Sequence, residues 1–293
     1  MARALSSAVA SDRLTVVVNV GDDDYMYGAH VAADLDTVTY TLAGIQGPHG
    51  WGIADDTFRV MEELTRRGID TSFRLGDRDL ATCLYRTAAL TAGRSLSMTT
   101  EEITRSLGIE IRVLPATDNL VATMVQVTGG EWVSFQEYFV KRRHADEVVS
   151  LEYDGITAAA PAPGVLDAID TADLVVIAPS NPPLSIWPIL DIPGIGEAVA
   201  EAEQVVAISP LFSGKALKGP ADRVMASLGL AAGTAGILQA YEGLLTVLVV
   251  DTADAADVHL ATDTTRVVAA PTRMQTVEQG RAFAYWLLEE IAQ

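Results

Sequence analysis

Apolar positions in this chain fall into short β-branched runs set between segments with helical spacing. Leu14–Val20, Leu120–Val127, Leu174–Ile177, Gln204–Ile208 and Leu245–Val250 each read as a strand. Strands alternating with helical segments argue for an α/β fold with a mainly parallel sheet. Between residues 55 and 107 the pattern changes: Phe58, Met61 and Leu64, then Leu80, Leu84 and Leu90, repeat at helical intervals with few β-branched residues among them. This stretch predicts a helical insertion, packed as a lid on a core made of residues 1–54 and 108–293. Thr123–Val127 and Trp132–Phe139 flank Gly129 and Gly130, which predicts an antiparallel hairpin. Helices are expected at Val165–Asp170 and at Thr276–Ile291, and after Val250 the chain turns polar and rich in Asp and Thr.

Charge narrows the range of functions. The net charge is −19 and the isoelectric point is about 4.4, so the overall field repels nucleic acid and anionic membrane surfaces. No run reaches the ~20 apolar residues that cross a bilayer, and the stretch Ile237–Val250 is broken by Gln239 and Glu242. The N-terminus lacks the apolar segment of a secretory signal, so a cytoplasmic protein is expected. A single cysteine, Cys83, makes neither an internal disulfide nor a thiolate cage.

Five aspartates crowd between positions 22 and 36: Asp22, Asp23, Asp24, Asp34 and Asp36. They follow the first predicted strand, and ligands of open parallel sheets bind outside the carboxyl ends of the strands. Carboxylates aimed at one point suit a hard divalent cation, which usually accompanies phosphate. A solvated turn with Asp34 capping a helix is the competing reading. Asp77 and Asp79, in Leu75-Gly-Asp-Arg-Asp-Leu-Ala-Thr82, are expected to serve a site rather than a surface ion-pair cluster. Trp51, between Gly50 and Gly52, is expected to pack under the lid, with stacking on a ligand left open.

Several motifs stand in order: Asn19-Val-Gly-Asp-Asp23, Asp34-Leu-Asp-Thr37 with Tyr40-Thr-Leu42, Gly50-Trp-Gly52, the Leu75–Thr82 run, Leu114-Pro-Ala-Thr-Asp118, Phe135-Gln-Glu137, Pro179-Ser-Asn-Pro182, and Ser209-Pro210 with Lys218-Gly-Pro-Ala221. Together they resemble the CofD/FbiA family, the 2-phospho-L-lactate transferases of coenzyme F420 biosynthesis, from about Arg3 to about Asp251. The resemblance implies a Rossmann-like sheet and a magnesium-dependent transferase. It would move a phosphoenolpyruvyl or phospholactyl group from a guanosine diphosphate-linked donor to the deazaflavin Fo and release GMP. Phosphoenolpyruvate is the preferred three-carbon acid, because the motif neighbourhoods look actinobacterial. The resemblance further implies a metal shell of Asp22, Asp34 and Asp36, with Asp34 and Asp36 catalytic. It implies Fo contacts from Asp36 and Arg74, and donor or phosphate contacts from Asn19, Ser180, Asn181, Ser209 and Lys218. A homodimer follows by analogy.

The match departs from the family pattern chiefly at the start. Family members open with a strand and a Gly-Gly-x-Gly-Gly-Ala-Lys/Arg turn, whereas this sequence starts at Met1-Ala-Arg3. Loss of that strand would leave neighbouring edges unpaired, and loss of the loop would remove backbone N–H groups suited to phosphate. Either the start lies upstream, the preferred reading, or the chain is a deazaflavin- or nucleotide-binding relative without turnover. Cys83 and Asn119 stand where relatives commonly carry His and Asp.

Overall fold

β-branched side chains fit a pleated, half-buried surface, and the valine runs become strands accordingly. The computed structural model describes residues 1–217 and 219–291. The chain begins with α1 (Ala2–Ser6), β1 (Thr15–Val18), a small hairpin of β2 (Asp24–Met26) and β3 (Ala29–Val31), and α2 (Ala33–Leu42). Then come α3 (Arg59–Arg66), α4 (Asp77–Thr91), α5 (Leu96–Ser106), β4 (Arg112–Pro115), β5 (Ala122–Val127), β6 (Trp132–Ser134) and β7 (Val148–Asp154). α6 (Val165–Asp170), β8 (Val175–Ile177), α7 (Trp187–Leu190), α8 (Ile195–Glu201), β9 (Val205–Ile208), β10 (Leu211–Phe212) and β11 (Lys215–Ala216) follow. The chain closes with α9 (Ala221–Ser227), α10 (Thr234–Ala240), β12 (Val247–Asp251), β13 (Arg266–Ala270) and α11 (Val277–Glu290).

The parallel strands form two pieces, β1 with β4 and β13-β12-β9-β8. Among the described residues β1 pairs only with β4 and β8 only with β9. Arg13 and Asp173, just ahead of β1 and β8, are joined by an ion pair of 2.6 Å, so the two strands start within reach of an arginine side chain. Val16, Val17, Val175 and Val176 are only half-buried, whereas every residue of β9 and β12 is buried. Both pieces share one apolar core, with Val18 and Val113 in the same cluster as Ile177, Val205 and Leu248. On the other side α11 packs Phe283, Ala284 and Leu287 against Val206 and Val249, with Ala4 and Leu5 of α1 beside them.

Some expected elements change. Leu120–Val127 yields β5, which pairs antiparallel with β6 as the Gly129-Gly130 hairpin predicts, but both lie in a sheet of their own, β6-β5-β7, with β7 added. The run Trp132–Phe139 stops at Ser134, after which Glu137–Lys141 coils into a π-helical turn. β4 and β13 were not expected. Arg112-Val-Leu-Pro115 has two apolar residues, too few for a pattern, and Arg266-Val-Val-Ala-Ala270 lies in the polar stretch. Each forms because a parallel neighbour of higher β-propensity, β1 or β12, supplies its hydrogen bonds.

The 55–107 segment holds α3, α4 and α5 and no strand. Met61 of α3 and Leu80 and Cys83 of α4 pack with Ala29 and Val31 of β3. Asp56 accepts the N–H groups of Arg78 and Asp79 at the start of α4, and Asp77 accepts those of Arg59 and Val60 at the start of α3. The two helices thus cap each other with carboxylates at their positive ends. Asp77 is therefore a structural cap, and the expectation of a site role for it is not met.

Candidate functional site

Asn19 follows β1 directly and is buried. Its carboxamide oxygen accepts the Gly21 N–H at 2.8 Å and closes the turn, and its nitrogen donates to Asp22 Oδ1 at 3.0 Å and to Asp34 Oδ2 at 3.1 Å. One amide thus draws two acids from different elements to one point. Gln136 Nε2 donates to the Asp22 carbonyl at 2.7 Å, and Thr123 N donates to the Gly21 carbonyl, which ties the acidic turn to the antiparallel sheet. Gly21 is required there, because a Cβ would lie 2.7 Å from Thr123 Oγ1 and 3.0 Å from Pro188 Cβ.

α2 starts at Ala33 with Ala32 as its uncapped N-cap residue, so Asp34 sits inside the first turn and does not cap the helix. Asp34 and Asp36 both lie near the positive end of the helix. Asp36 has a different partner. Arg86 of α4 grips its carboxylate with two nitrogens, one at 3.1 Å from Oδ2, and donates also to the His30 carbonyl at 3.1 Å. Tyr40 Oη donates to Asp79 Oδ1 at 2.9 Å. Ligand atoms of Asp36, Asp79 and Cys83 lie within 4.8 Å of one another.

Electrostatics follow from this crowding. Burial raises Asp22 well above its ordinary pKa, and the charges of Asp34 and Asp23 raise it further. Burial likewise lifts Asp23, with Arg86 opposing, and lifts Asp34 against its bond from Asn19. Asp36 is raised by burial although Arg86 pulls it down. Asp79 is pushed up to about 6, by burial first and then by Asp36, and burial pushes the Cys83 thiol up to about 12. His30 falls to about 4 through burial and the Arg86 charge. Asp22 and Asp34 share an amide and have no ion pair among the described residues, and a hard divalent ion held through oxygen fits that donor set. Asp36, the third acid expected in that shell, has each oxygen bonded to Arg86, with a lone pair to spare on each.

Other residues singled out in the sequence stand at the same end of the sheet. Ser180 and Asn181 follow β8, and both carboxamide atoms of Asn181 are buried without a hydrogen-bond partner. Ser209 follows β9, is buried, and its Oγ accepts the Leu211 N–H at 3.2 Å, so its hydroxyl serves the turn. Arg74 is exposed, with its guanidinium 4.4 Å from the Phe58 ring centre. Lys218 lies outside the described residues. Trp51 is 66 % exposed, so it does not pack under the helices as expected. The partnership of Asp79, Cys83 and Arg86 was not foreseen. Their spacing of four and then three residues on one helix was the available signal.

A hydrogen-bonded acid cluster at the carboxyl end of a parallel strand, roofed by helices, defines an α/β protein whose site suits cation-assisted group transfer. Comparison with known proteins identifies the family. The profile of the family described as "2-phospho-L-lactate transferase CofD" matches residues 1–281, and the chain belongs to this family of transferases. It is 43 % identical over 295 residues to the phosphoenolpyruvate transferase of Streptomyces griseus, covering 98 % of this chain and 93 % of that one. It is 39 % identical over 251 residues to the 2-phospho-L-lactate transferase of Methanococcoides burtonii, covering 85 % and 81 %. A crystal structure of a UPF0052 family protein from Bacillus halodurans shares the fold at a TM-score of 0.62 and 16 % identity, covering 98 % of this chain and 94 % of that one. The expected Rossmann-like α/β class holds.

Proposed function

We propose that the protein transfers a phosphoenolpyruvyl or 2-phospho-L-lactyl group from a guanosine diphosphate-linked donor to the deazaflavin Fo and releases GMP. The names of the relatives support the transferred group. The convergence of Asp22 and Asp34 on Asn19, beside the Asp36–Arg86 pair, is the observation that carries the site assignment. In this reaction a hydroxyl oxygen of Fo bonds to the donor phosphorus and the P–O bond to GMP breaks. Catalysis of that kind rests on positioning and charge stabilisation.

Asp22 and Asp34 would hold magnesium, which when bound supplies a counter-charge for the diphosphate oxygens. Asp36, fixed by Arg86, keeps lone pairs outside that bond and orients the acceptor hydroxyl. Asp79, held by Tyr40 and close to Asp36, takes the hydroxyl proton; a carboxylate of pKa about 6 is mostly ionised near neutral pH. The unpartnered Asn181 carboxamide, between Pro179 and Pro182, offers one donor face and one acceptor face to the nucleotide. In this reading the enzyme is a cytoplasmic homodimer. No helix among the described residues is long and apolar enough to cross a membrane.

The test combines the chain with Fo, magnesium and the enolpyruvyl or phospholactyl donor, and follows GMP and the new deazaflavin product by mass spectrometry. Asp36→Asn serves as the control. Product from the native chain and none from the variant is the expected result. Fo binding without product would favour a binding protein instead.

A further inference from the structure

The loop that carries Trp51 is braced by hydrogen bonds, and the indole stands uncovered on it. Gln46 and Ile53 form an antiparallel bridge, Ala54 N donates to the Ile45 carbonyl at 2.8 Å, and Gly47 N donates to the Gly52 carbonyl at 2.9 Å. Inside the loop Gly50 N donates to the Gly47 carbonyl at 3.1 Å, and Gln46 Nε2 to the Gly50 carbonyl at 2.8 Å. Glycine is demanded on both sides of the indole, because Gly50 and Gly52 have φ of 95° and 64°. At Gly47 a Cβ would lie 2.6 Å from the Trp51 carbonyl oxygen. So tight a frame fixes the Trp51 backbone at the loop tip, and the nearest ring to its indole is His49, centre to centre 6.3 Å.

The position of the loop gives that exposure a meaning. A Cβ on Gly52 would lie 3.9 Å from Asp79 Oδ2, and Asp79 lies within 4.8 Å of Asp36 and Cys83. The backbone of Trp51, one residue earlier, therefore runs close to the acid cluster. Single exposed apolar residues are ordinary, but an exposed indole on a braced loop whose backbone runs close to buried carboxylates can offer a flat, electron-rich face near hydrogen-bond acceptors. That pairing suits a ligand with a planar heteroaromatic ring and a hydroxylated side chain, the ring on the indole and a hydroxyl toward Asp36 and Asp79. It does not suit a diphosphate, which these carboxylates repel unless a cation intervenes.

We infer that Trp51 is the stacking platform for the ring of the acceptor and a determinant of acceptor specificity, an inference that rests on the transferase reading above. The test titrates Fo into the full chain and into Trp51→Phe, Trp51→Ala and Trp132→Phe, the last altering an indole on the antiparallel sheet. Intrinsic fluorescence, equilibrium dialysis and KM for acceptor and donor are read separately. Fo is expected to quench fluorescence in the native chain and in Trp132→Phe. Trp51→Ala is expected to raise KM and Kd for Fo at least about fivefold, the lower end of base–aromatic stacking. Trp51→Phe recovers much of that loss, and KM for the donor stays unchanged. Native binding of Fo together with equal affinity in Trp51→Ala would overturn this inference alone. Failure of the native chain to bind Fo would overturn the transferase reading and this inference with it.

Discussion

Arg86 and Asp36 face each other across α4 and α2 as a two-nitrogen ion pair, and both side chains are buried. Removing one partner of such a pair strands the other charge, which costs about 3–5 kcal/mol. Arg86→Met should therefore destabilise the protein by about that much, measured by urea unfolding. The double variant Asp36→Leu with Arg86→Met should recover part of the loss, since it leaves no unpaired charge. Recovery of nothing would show that the pair contributes packing rather than charge compensation.

The division of the acids into Asp22–Asp34 and Asp36–Arg86 makes a second prediction about magnesium. Asp22→Asn and Asp34→Asn should each raise the magnesium concentration for half-maximal activity by about tenfold or more, the loss of one charged oxygen ligand. Asp36→Asn should lower kcat and leave the magnesium requirement close to native. An equal shift of magnesium dependence in all three would place Asp36 in the metal shell.

How much of this was legible beforehand depended on how local the signal was. The acid cluster was legible because Asp22 to Asp36 lie within one short stretch, and the carboxyl-end placement of Asn19, Asn181 and Ser209 followed from each standing after an apolar run. Legibility ended where partners come from afar: Arg86 reaches Asp36 across 50 positions and Gln136 reaches Asp22 across 114. β13 was lost for a similar reason, because its partner β12, rather than its own composition, makes it a strand. Trp51 was misjudged because bracing hydrogen bonds, which leave no hydrophobic pattern, decide its exposure.

Gly21 tests how tightly the acidic turn must sit against the antiparallel sheet. Gly21→Ala puts a methyl group 2.7 Å from Thr123 Oγ1 and 3.0 Å from Pro188 Cβ, with buried atoms on both sides. A cost of about 1–3 kcal/mol is expected from overpacking, together with loss of activity, since the turn places Asp22. Thr123→Ser would not relieve this contact; Thr123→Ala should, and the double variant should recover stability. Native stability in Gly21→Ala would mean that the turn can shift freely.

His30 gives a pH dependence of known sign. Its folded pKa, about 4, lies below the ordinary 6.5, so the folded state holds it neutral while the unfolded chain takes up a proton. Stability from this residue is complete above pH 6.5 and falls as pH drops from 6.5 toward 4, by on the order of 2–3 kcal/mol in all. Asp79, raised to about 6, acts in the opposite direction over part of that range, so the informative quantity is a difference. Thermal unfolding of native protein and His30→Gln from pH 7 to pH 4 should show the native advantage shrinking as pH falls. A constant gap would mean that His30 titrates alike in both states.

The two pieces of parallel sheet make a prediction about exchange. Successive N–H groups along a strand point to opposite edges, so a strand with one partner protects only half of them. β1 and β8 should show fast and slow amides in alternation by hydrogen exchange, while β9 and β12, paired on both edges, exchange slowly throughout. An apolar segment able to lie extended between β1 and β8, joined ahead of Met1 through a glycine turn, should slow the fast amides of Val16, Val17, Val175 and Val176 and raise Tm. Its backbone would satisfy both edges at once, and the half-buried valines on both strands would lose their remaining exposure. Uniformly slow exchange in β1 and β8 before any such addition would show that these edges are already covered.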